Sequence, residues 1–112
     1  MTIFEKIAAR EIPARIVHEA EDFIAFHDVH PQAPVHILIV PKRAIPRIAE
    51  AQPVDAALLG RMLLASGQIA EEAGLAEGGY RLVINNGRDA GESVAHLHIH
   101  LLGGRGLQWP PG

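Results

Sequence analysis

A chain of 112 residues, 48% hydrophobic and 21% charged, can bury one hydrophobic core and is too short for two. Its formal net charge is −3 and no Lys/Arg cluster occurs, which argues against a general nucleic-acid binder and leaves phosphate recognition to a few local donors. The absence of cysteine excludes disulfides and Cys-based zinc sites, and no apolar run reaches the ~18 residues of a membrane span.

In chain order, Thr2 followed by Glu5 fits a capping box, and Ile3, Phe4 and Ile7 give a short apolar face. Residues 3–9 are therefore expected to form a short helix, stopped at Glu11-Ile12-Pro13. Acids interrupt this stretch, so it does not read as a signal peptide, and a cytoplasmic protein is the expectation. Residues 14–19 and 22–28 are partly β-branched or aromatic runs and suggest an antiparallel hairpin. His30-Pro31-Gln32-Ala33-Pro34 is a connecting loop, because two prolines remove ladder donors. Residues 35–40 are a dense apolar run, expected as a central strand. Residues 44–54 contain Pro46 and Pro53 and read as loop with a helical turn.

Residues 55–73 carry the clearest helical period: Leu59, Met62, Leu63, Ser66, Ile69, Ala70 and Ala73 recur at three- and four-residue steps. Gly74 falls where a left-handed cap would close the helix. Gly60 and Gly67 share one helical face. Chance placement and close approach of another backbone are equal readings of that pair. Residues 80–86 predict a fourth strand, Asn85 to Ser93 a polar, glycine-containing loop, and residues 95–102 a fifth strand. Gly103-Gly104-Arg105-Gly106 ends it and residues 107–112 form a tail. Strands joined by short loops around one long helix predict an α+β fold with a mainly antiparallel sheet, in a single domain over residues 1–112.

The segment His96-Leu97-His98-Ile99-His100-Leu101-Leu102 is the most informative. Side chains alternate faces along a strand, so the three histidines share one face, spanning roughly 13 Å, while Leu97, Ile99 and Leu101 take the other. An exposed polar face, a metal site and phosphoryl chemistry are the three readings of such a face. A neutral imidazole is a competent nucleophile near pH 7 because its ordinary pKa is ~6.5. Spacing does not separate metal from phosphoryl chemistry. The preceding loop favours the latter: Gly87 and Gly91 can turn backbone N–H groups inward as an anion-binding nest, Ser93 adds a hydroxyl, and Asn85 adds a neutral donor.

Residues 96–102 match the His-φ-His-φ-His-φ-φ pattern (φ apolar) and resemble the histidine triad (HIT) superfamily. Residues 26–36, Phe26-His27-Asp28-Val29-His30-Pro31-Gln32-Ala33-Pro34-Val35-His36, are similar to the nucleoside-binding segment of its Hint branch. Gly91-Glu92-Ser93-Val94 and the terminal Trp109-Pro110-Pro111-Gly112 are similar to that branch as well. The resemblance implies a HIT-like fold with a five-stranded sheet, one long and one short helix, and continuation of the sheet across a homodimer. It implies a purine nucleoside phosphoramidase, cleaving substrates such as adenosine 5′-phosphoramidate without a metal or other cofactor. His98 would attack the α-phosphorus and form a nucleotidyl-histidine intermediate, which water hydrolyses. His96 and His36 would orient the catalytic face, His100 would contact phosphate, and Ser93 would bond near the leaving amine. Asp28 would hold the ribose hydroxyls, Val29 the base, and Asn85, Gly91, Glu92, Ser93 and Val94 would surround the phosphate. Trp109, in the tail formed by residues 103–112, would lie near the partner subunit's active site. Hydrolysis of dinucleoside polyphosphates, nucleotidyl transfer and nucleotide sensing are the alternative activities. Nucleic acid and membrane are not expected partners.

Overall fold

The computed structural model describes all 112 residues. A five-stranded sheet organises them: β1 (Ile16–Glu19), β2 (Phe23–His27), β3 (Val35–Pro41), β4 (Tyr80–Val83) and β5 (Ile99–Gly103). The strand order is β1-β2-β3-β5-β4 and every neighbouring pair is antiparallel. The helices are α1 (Ile3–Ala8) and α2 (Ala56–Glu72), with short 3-10 turns at Ile48–Glu50, Pro53–Asp55 and Arg88–Ala90. This is the expected α+β, HIT-like architecture. No helix is long and apolar enough to cross a membrane.

The two faces of the sheet carry different partners. On one, Phe23, Ala25, Ile37, Ile39, Leu97, Ile99 and Leu101 pack against Leu58, Met62, Ile69 and Ala70 of α2. On the other, Ile24, Phe26, Leu38 and Val40 pack against Phe4 and Ile7 of α1. The inner strands β2 and β3 are thus buried on both faces, which is why they read as continuous apolar runs rather than alternating ones. α1 has only six residues, too few to be stable alone. Its capping box closes at both ends, with Thr2 Oγ1 accepting from the Glu5 amide and Glu5 Oε1 accepting from the Thr2 amide. Burial of Phe4 and Ile7 adds roughly 1.5–3 kcal/mol each.

Several boundaries differ from the sequence reading. β4 ends at Val83 rather than residue 86, and residues 44–54 hold a 3-10 turn, with a second at 53–55. On α2 the buried stripe starts from Leu58, while Leu63 is about half exposed. Neither helix glycine meets a neighbouring backbone within the chain: an added Cβ at Gly60 would touch nothing, and at Gly67 only the Tyr80 hydroxyl at 3.8 Å.

The consequential difference concerns the histidine segment. β5 begins at Ile99, not residue 95, so His96 and His98 precede the ladder. The partner strand explains this: Ile39 is the last β3 residue paired to β5, opposite Ile99. Beyond it, residues 94–96 bend and the Leu97 amide donates to the Ile45 carbonyl at 2.6 Å. The predicted facing survives the change. Leu97, Ile99 and Leu101 enter the α2-side core, while the rings of His96 and His98 both stand edge-on to Phe4 of α1, at 5.4 and 5.2 Å between centroids.

Candidate active site

His36 and His100 meet through sheet register. On β3 and β5, His36 is paired with Leu102 and Leu38 with His100, so the two histidines are diagonal neighbours on the α1 face. Nε2 of His36 lies 2.8 Å from Nδ1 of His100, and their rings are 5.1 Å apart. His98 packs at 4.9 Å from the His100 ring.

The hydrogen-bond partners assign the tautomer of each ring, because a backbone amide only donates and a carbonyl only accepts. The Gln32 amide donates to His36 Nδ1 at 3.0 Å, so a neutral His36 carries its proton on Nε2. That proton is donated to His100 Nδ1, and a neutral His100 therefore carries its own on Nε2. His98 Nδ1 lies 2.7 Å from the His96 carbonyl and must donate to it, leaving the lone pair of His98 on Nε2. His96 donates from Nε2 to the Pro41 carbonyl at 2.7 Å and accepts the Thr2 hydroxyl at Nδ1, also at 2.7 Å. Every buried side-chain nitrogen or oxygen has a partner, so the Nε2 atoms of His98 and His100, which bond to no protein group, reach solvent. One presents a lone pair and the other an N–H.

Burial favours the neutral form of His36, His96 and His100. Desolvation pushes the pKa values of His36 and His96 down. His100 is pushed down to about 4, first by burial and then by the neighbouring His98 and His36.

A cleft of about 280 Å³ opens over His98 and His100. Ser93, Val94, Asp28 and Val29 line it, together with apolar side chains that include Ile3, Phe4, Ile7 and Leu38. An apolar pocket with a few convergent polar groups is the ordinary form of a small-molecule site. Val29 is 80% exposed at this cleft. Asp28 follows β2 directly: its Oδ1 accepts from the His30 amide at 2.8 Å and its Oδ2 lies 3.5 Å from His36 Nε2.

Asp28, His36 and His100 bring one carboxylate oxygen and two ring nitrogens within 4.8 Å of one another, a donor set that transition metals favour. Their hydrogen bonds compete with that use. Ligation through His36 Nε2 would move its proton to Nδ1, facing the Gln32 N–H donor-to-donor.

Other residues named from the sequence lie outside the cleft. The Asn85 side-chain amide is donated to the Ala90 carbonyl at 2.8 Å, across its own loop. Four of the loop amides are committed within the loop. Ala90 and Glu92 N–H donate to the Gly87 carbonyl, Gly91 N–H to Arg88, and Gly87 N–H to Glu92 Oε1. Glu92 is also gripped by Arg47 through Nε and Nη2, at 2.9 and 3.0 Å. These donors hold its carboxyl down at about 2. Glu92 thus braces the loop that delivers Ser93 and Val94. Trp109 is 83% exposed, and the tail before it is anchored where Arg81 donates to the Gln108 carbonyl at 2.8 Å. Sequence reasoning missed Gln32, Pro41 and Arg47, and it gave Thr2 a capping role alone. Gln32 and Pro41 act through main-chain atoms, which no side-chain pattern reports, while the Arg47–Glu92 pair spans 45 residues.

The HIT domain pattern matches residues 9–107. The chain belongs to the HIT family. Among similar proteins, this HIT chain is 53% identical to a HIT-like protein of Synechocystis and 59% identical to one of Synechococcus elongatus. Each alignment covers 99% of this chain and 96% of the relative. Among solved structures, one from Legionella pneumophila, described as a HIT family hydrolase, superposes with a TM-score of 0.96. It is 46% identical, over the full length of both chains.

Proposed function

We propose that this HIT protein binds a purine nucleotide and hydrolyses the P–N bond of its 5′-phosphoramidate, with His98 as nucleophile. One observation carries the proposal: the His96 carbonyl takes the Nδ1 proton of His98 and leaves the Nε2 lone pair open in the cleft beside the N–H of His100. A lone pair to attack phosphorus and a donor for the phosphate oxygens are what such a displacement requires. The hydrolase description of the Legionella structure supports the reaction class.

In the first step His98 Nε2 bonds to phosphorus and the P–N bond breaks. The amine leaves with the electron pair and takes up a proton from solvent, which the water of the second step returns, with the Ser93 hydroxyl at the cleft as its nearby hydrogen-bonding group. The His98 ring becomes cationic, and the Nδ1–H bond to the His96 carbonyl stabilises it. Water then attacks phosphorus and His98 leaves as neutral imidazole, releasing the nucleoside monophosphate and a proton. His100 holds a phosphate oxygen. Asp28 accepts from the ribose hydroxyls, and Val29 with its apolar neighbours contacts the base. Asn85, Gly91 and Glu92 act at one remove, by shaping the loop that carries Ser93 and Val94.

The acting unit is a homodimer in this reading. Strand β4 is a sheet edge, and Leu64 on α2 is 81% exposed, with Leu63 and Ile84 also exposed. A second copy would pair the edge, extend the sheet to ten strands and cover the face that bears Gly60 and Gly67. It would also bring Trp109 of each tail toward the partner's cleft.

Protein mixed with adenosine 5′-phosphoramidate, acid-quenched during turnover and digested for mass spectrometry, tests the proposal. A nucleotidyl adduct on the peptide containing His98 is expected. Turnover with full activity retained in a folded His98→Ala protein would overturn it.

A further inference from the structure

Arg105 lies outside the cleft, on the exposed C-terminal segment, yet its guanidinium is directed at the loop between β2 and β3. Nη2 and Nε donate to the Gln32 carbonyl at 2.9 and 3.3 Å, and Nη1 donates to the Gly106 carbonyl at 3.0 Å. Gln32 is the residue whose amide sets the His36 tautomer. The connection is continuous: Arg105 to the Gln32 carbonyl, the Gln32 amide to His36 Nδ1, His36 Nε2 to His100 Nδ1, and His100 Nε2 open at the cleft.

Two glycines make this reach feasible. Gly104 has φ +90°, which disfavours any side chain, and an added Cβ would lie 2.9 Å from Pro34 Cβ. Gly103, the last residue of β5, admits Leu75 where a Cβ would fall 2.7 Å from Leu75 Cδ1. The chain therefore presses directly on the loop that ends at Pro34, and the next residue carries the guanidinium across it. A planar fork placing two N–H groups on one carbonyl restrains Gln32 in a way a single flexible donor does not.

We infer that Arg105 is a positioning residue: by clamping the Gln32 carbonyl it keeps the Gln32 amide on His36 Nδ1 and so holds His100 as an Nε2–H donor toward the substrate phosphate. The last clause rests on the function proposed above; the tautomer control does not. Without the clamp, the loop is free to swing its amide away. His36 can then carry its proton on Nδ1, and His100 turns a lone pair instead of an N–H toward an anionic oxygen.

The test is long-range ¹H–¹⁵N NMR of ligand-free, ¹⁵N-histidine-labelled protein at neutral pH, for the wild type, Arg105→Met and Arg105→Lys. Steady-state kinetics on adenosine 5′-phosphoramidate accompany it. Wild type is expected to show both His36 and His100 as Nε2–H tautomers. Arg105→Met is expected to show a mixture at His36 and a loss in kcat of about 10- to 100-fold, the scale of a small misplacement of a positioning group, with KM changed much less. Arg105→Lys keeps a cation on the same stem and is expected to lie between the two in both readouts. Wild-type tautomers and wild-type kcat in a folded Arg105→Met protein would overturn the inference. If Arg105→Met does not fold, wild-type values in Arg105→Lys would overturn it equally. Altered tautomers in Arg105→Met, alongside a wild type that leaves the phosphoramidate uncleaved, would overturn the proposed function and leave the tautomer control standing.

Discussion

The hydroxyl of Thr2 lies 2.7 Å from Nδ1 of His96, joining two residues 94 positions apart. Because the His96 Nε2 proton is committed to the Pro41 carbonyl, the hydroxyl must donate to Nδ1, while its oxygen accepts the Glu5 amide. One side chain caps α1 and completes the shell of a fully buried imidazole whose own carbonyl orients His98.

Replacing Thr2 should therefore cost more than a helix cap alone. Loss of a cap costs about 1 kcal/mol, and leaving a buried ring nitrogen without its donor costs about 1–3 kcal/mol. Thr2→Ala is expected to lower stability by about 2–4 kcal/mol in urea titrations near pH 7.5. Thr2→Ser, which keeps the hydroxyl, is expected to stay close to the wild type.

Neutral buried histidines set one limb of the pH–stability curve. The folded-state pKa of His100 is pushed down to about 4, and those of His36 and His96 are also lowered. The unfolded chain titrates near ~6.5 and binds more protons below that value. Stability is thus fully present above ~6.5 and falls as the pH drops from there toward about 4. Urea midpoints between pH 8 and pH 4 should trace that decline. The decline should be shallower in His100→Gln.

A second limb lies at lower pH. Arg47 and the Gly87 amide hold Glu92 down at about 2. Its contribution is present above the ordinary carboxylate pKa of ~4.3 and is lost as the pH falls through that value toward 2. Glu92→Gln should therefore flatten the stability curve below ~4.3 and leave its shape above pH 6 unchanged, as read by thermal unfolding.

Asp28 offers a test of ribose recognition separate from chemistry. A charged hydrogen bond is worth about 1.5–3 kcal/mol, so Asp28→Asn is expected to raise KM for adenosine 5′-phosphoramidate by about tenfold or more. The penalty should shrink with a 2′,3′-dideoxy substrate, which has no hydroxyl to lose. Equal penalties on both substrates would place Asp28 outside ribose binding and leave its contact with His36 as its role.

The exposed apolar surface of α2 bears on assembly. Leu64 is 81% exposed, and Leu63 is about half exposed. Sedimentation equilibrium of the wild type is expected to give twice the mass of the 12.1 kDa chain. Leu64→Asp should shift it toward the monomer, because a carboxylate in an apolar interface has no partner there. A monomeric wild type would overturn the dimer and the reach of Trp109 together.

Much of this was legible in the residues themselves. Period-two alternation separated Leu97, Ile99 and Leu101 from the three histidines, and that separation depends only on local backbone geometry. Thr2 and Glu5 announced α1, and the three- and four-residue recurrence through Met62, Ser66, Ile69 and Ala70 announced α2. Strand ends were less readable. Alternation continues through residue 96, but β5 starts only at Ile99 because a strand needs a partner and the β3 ladder stops at Ile39.

What the sequence determined by itself is the inventory: three imidazoles on one face, an apolar stripe beneath them, and the elements that hold both. Which nitrogen of each ring carries the proton was decided by the folded backbone, locally for His98 and His36 and through long-range contacts for His96 and His100. The donors and acceptors that assign it are the Gln32 amide, the Pro41 and His96 carbonyls and the Thr2 hydroxyl. Three of these are main-chain groups that nearly every residue type supplies alike, so they leave no mark on side-chain identity. The Gln32 amide and the His96 carbonyl act within their own loops, while the Pro41 carbonyl and the Thr2 hydroxyl reach His96 only because distant segments pack together.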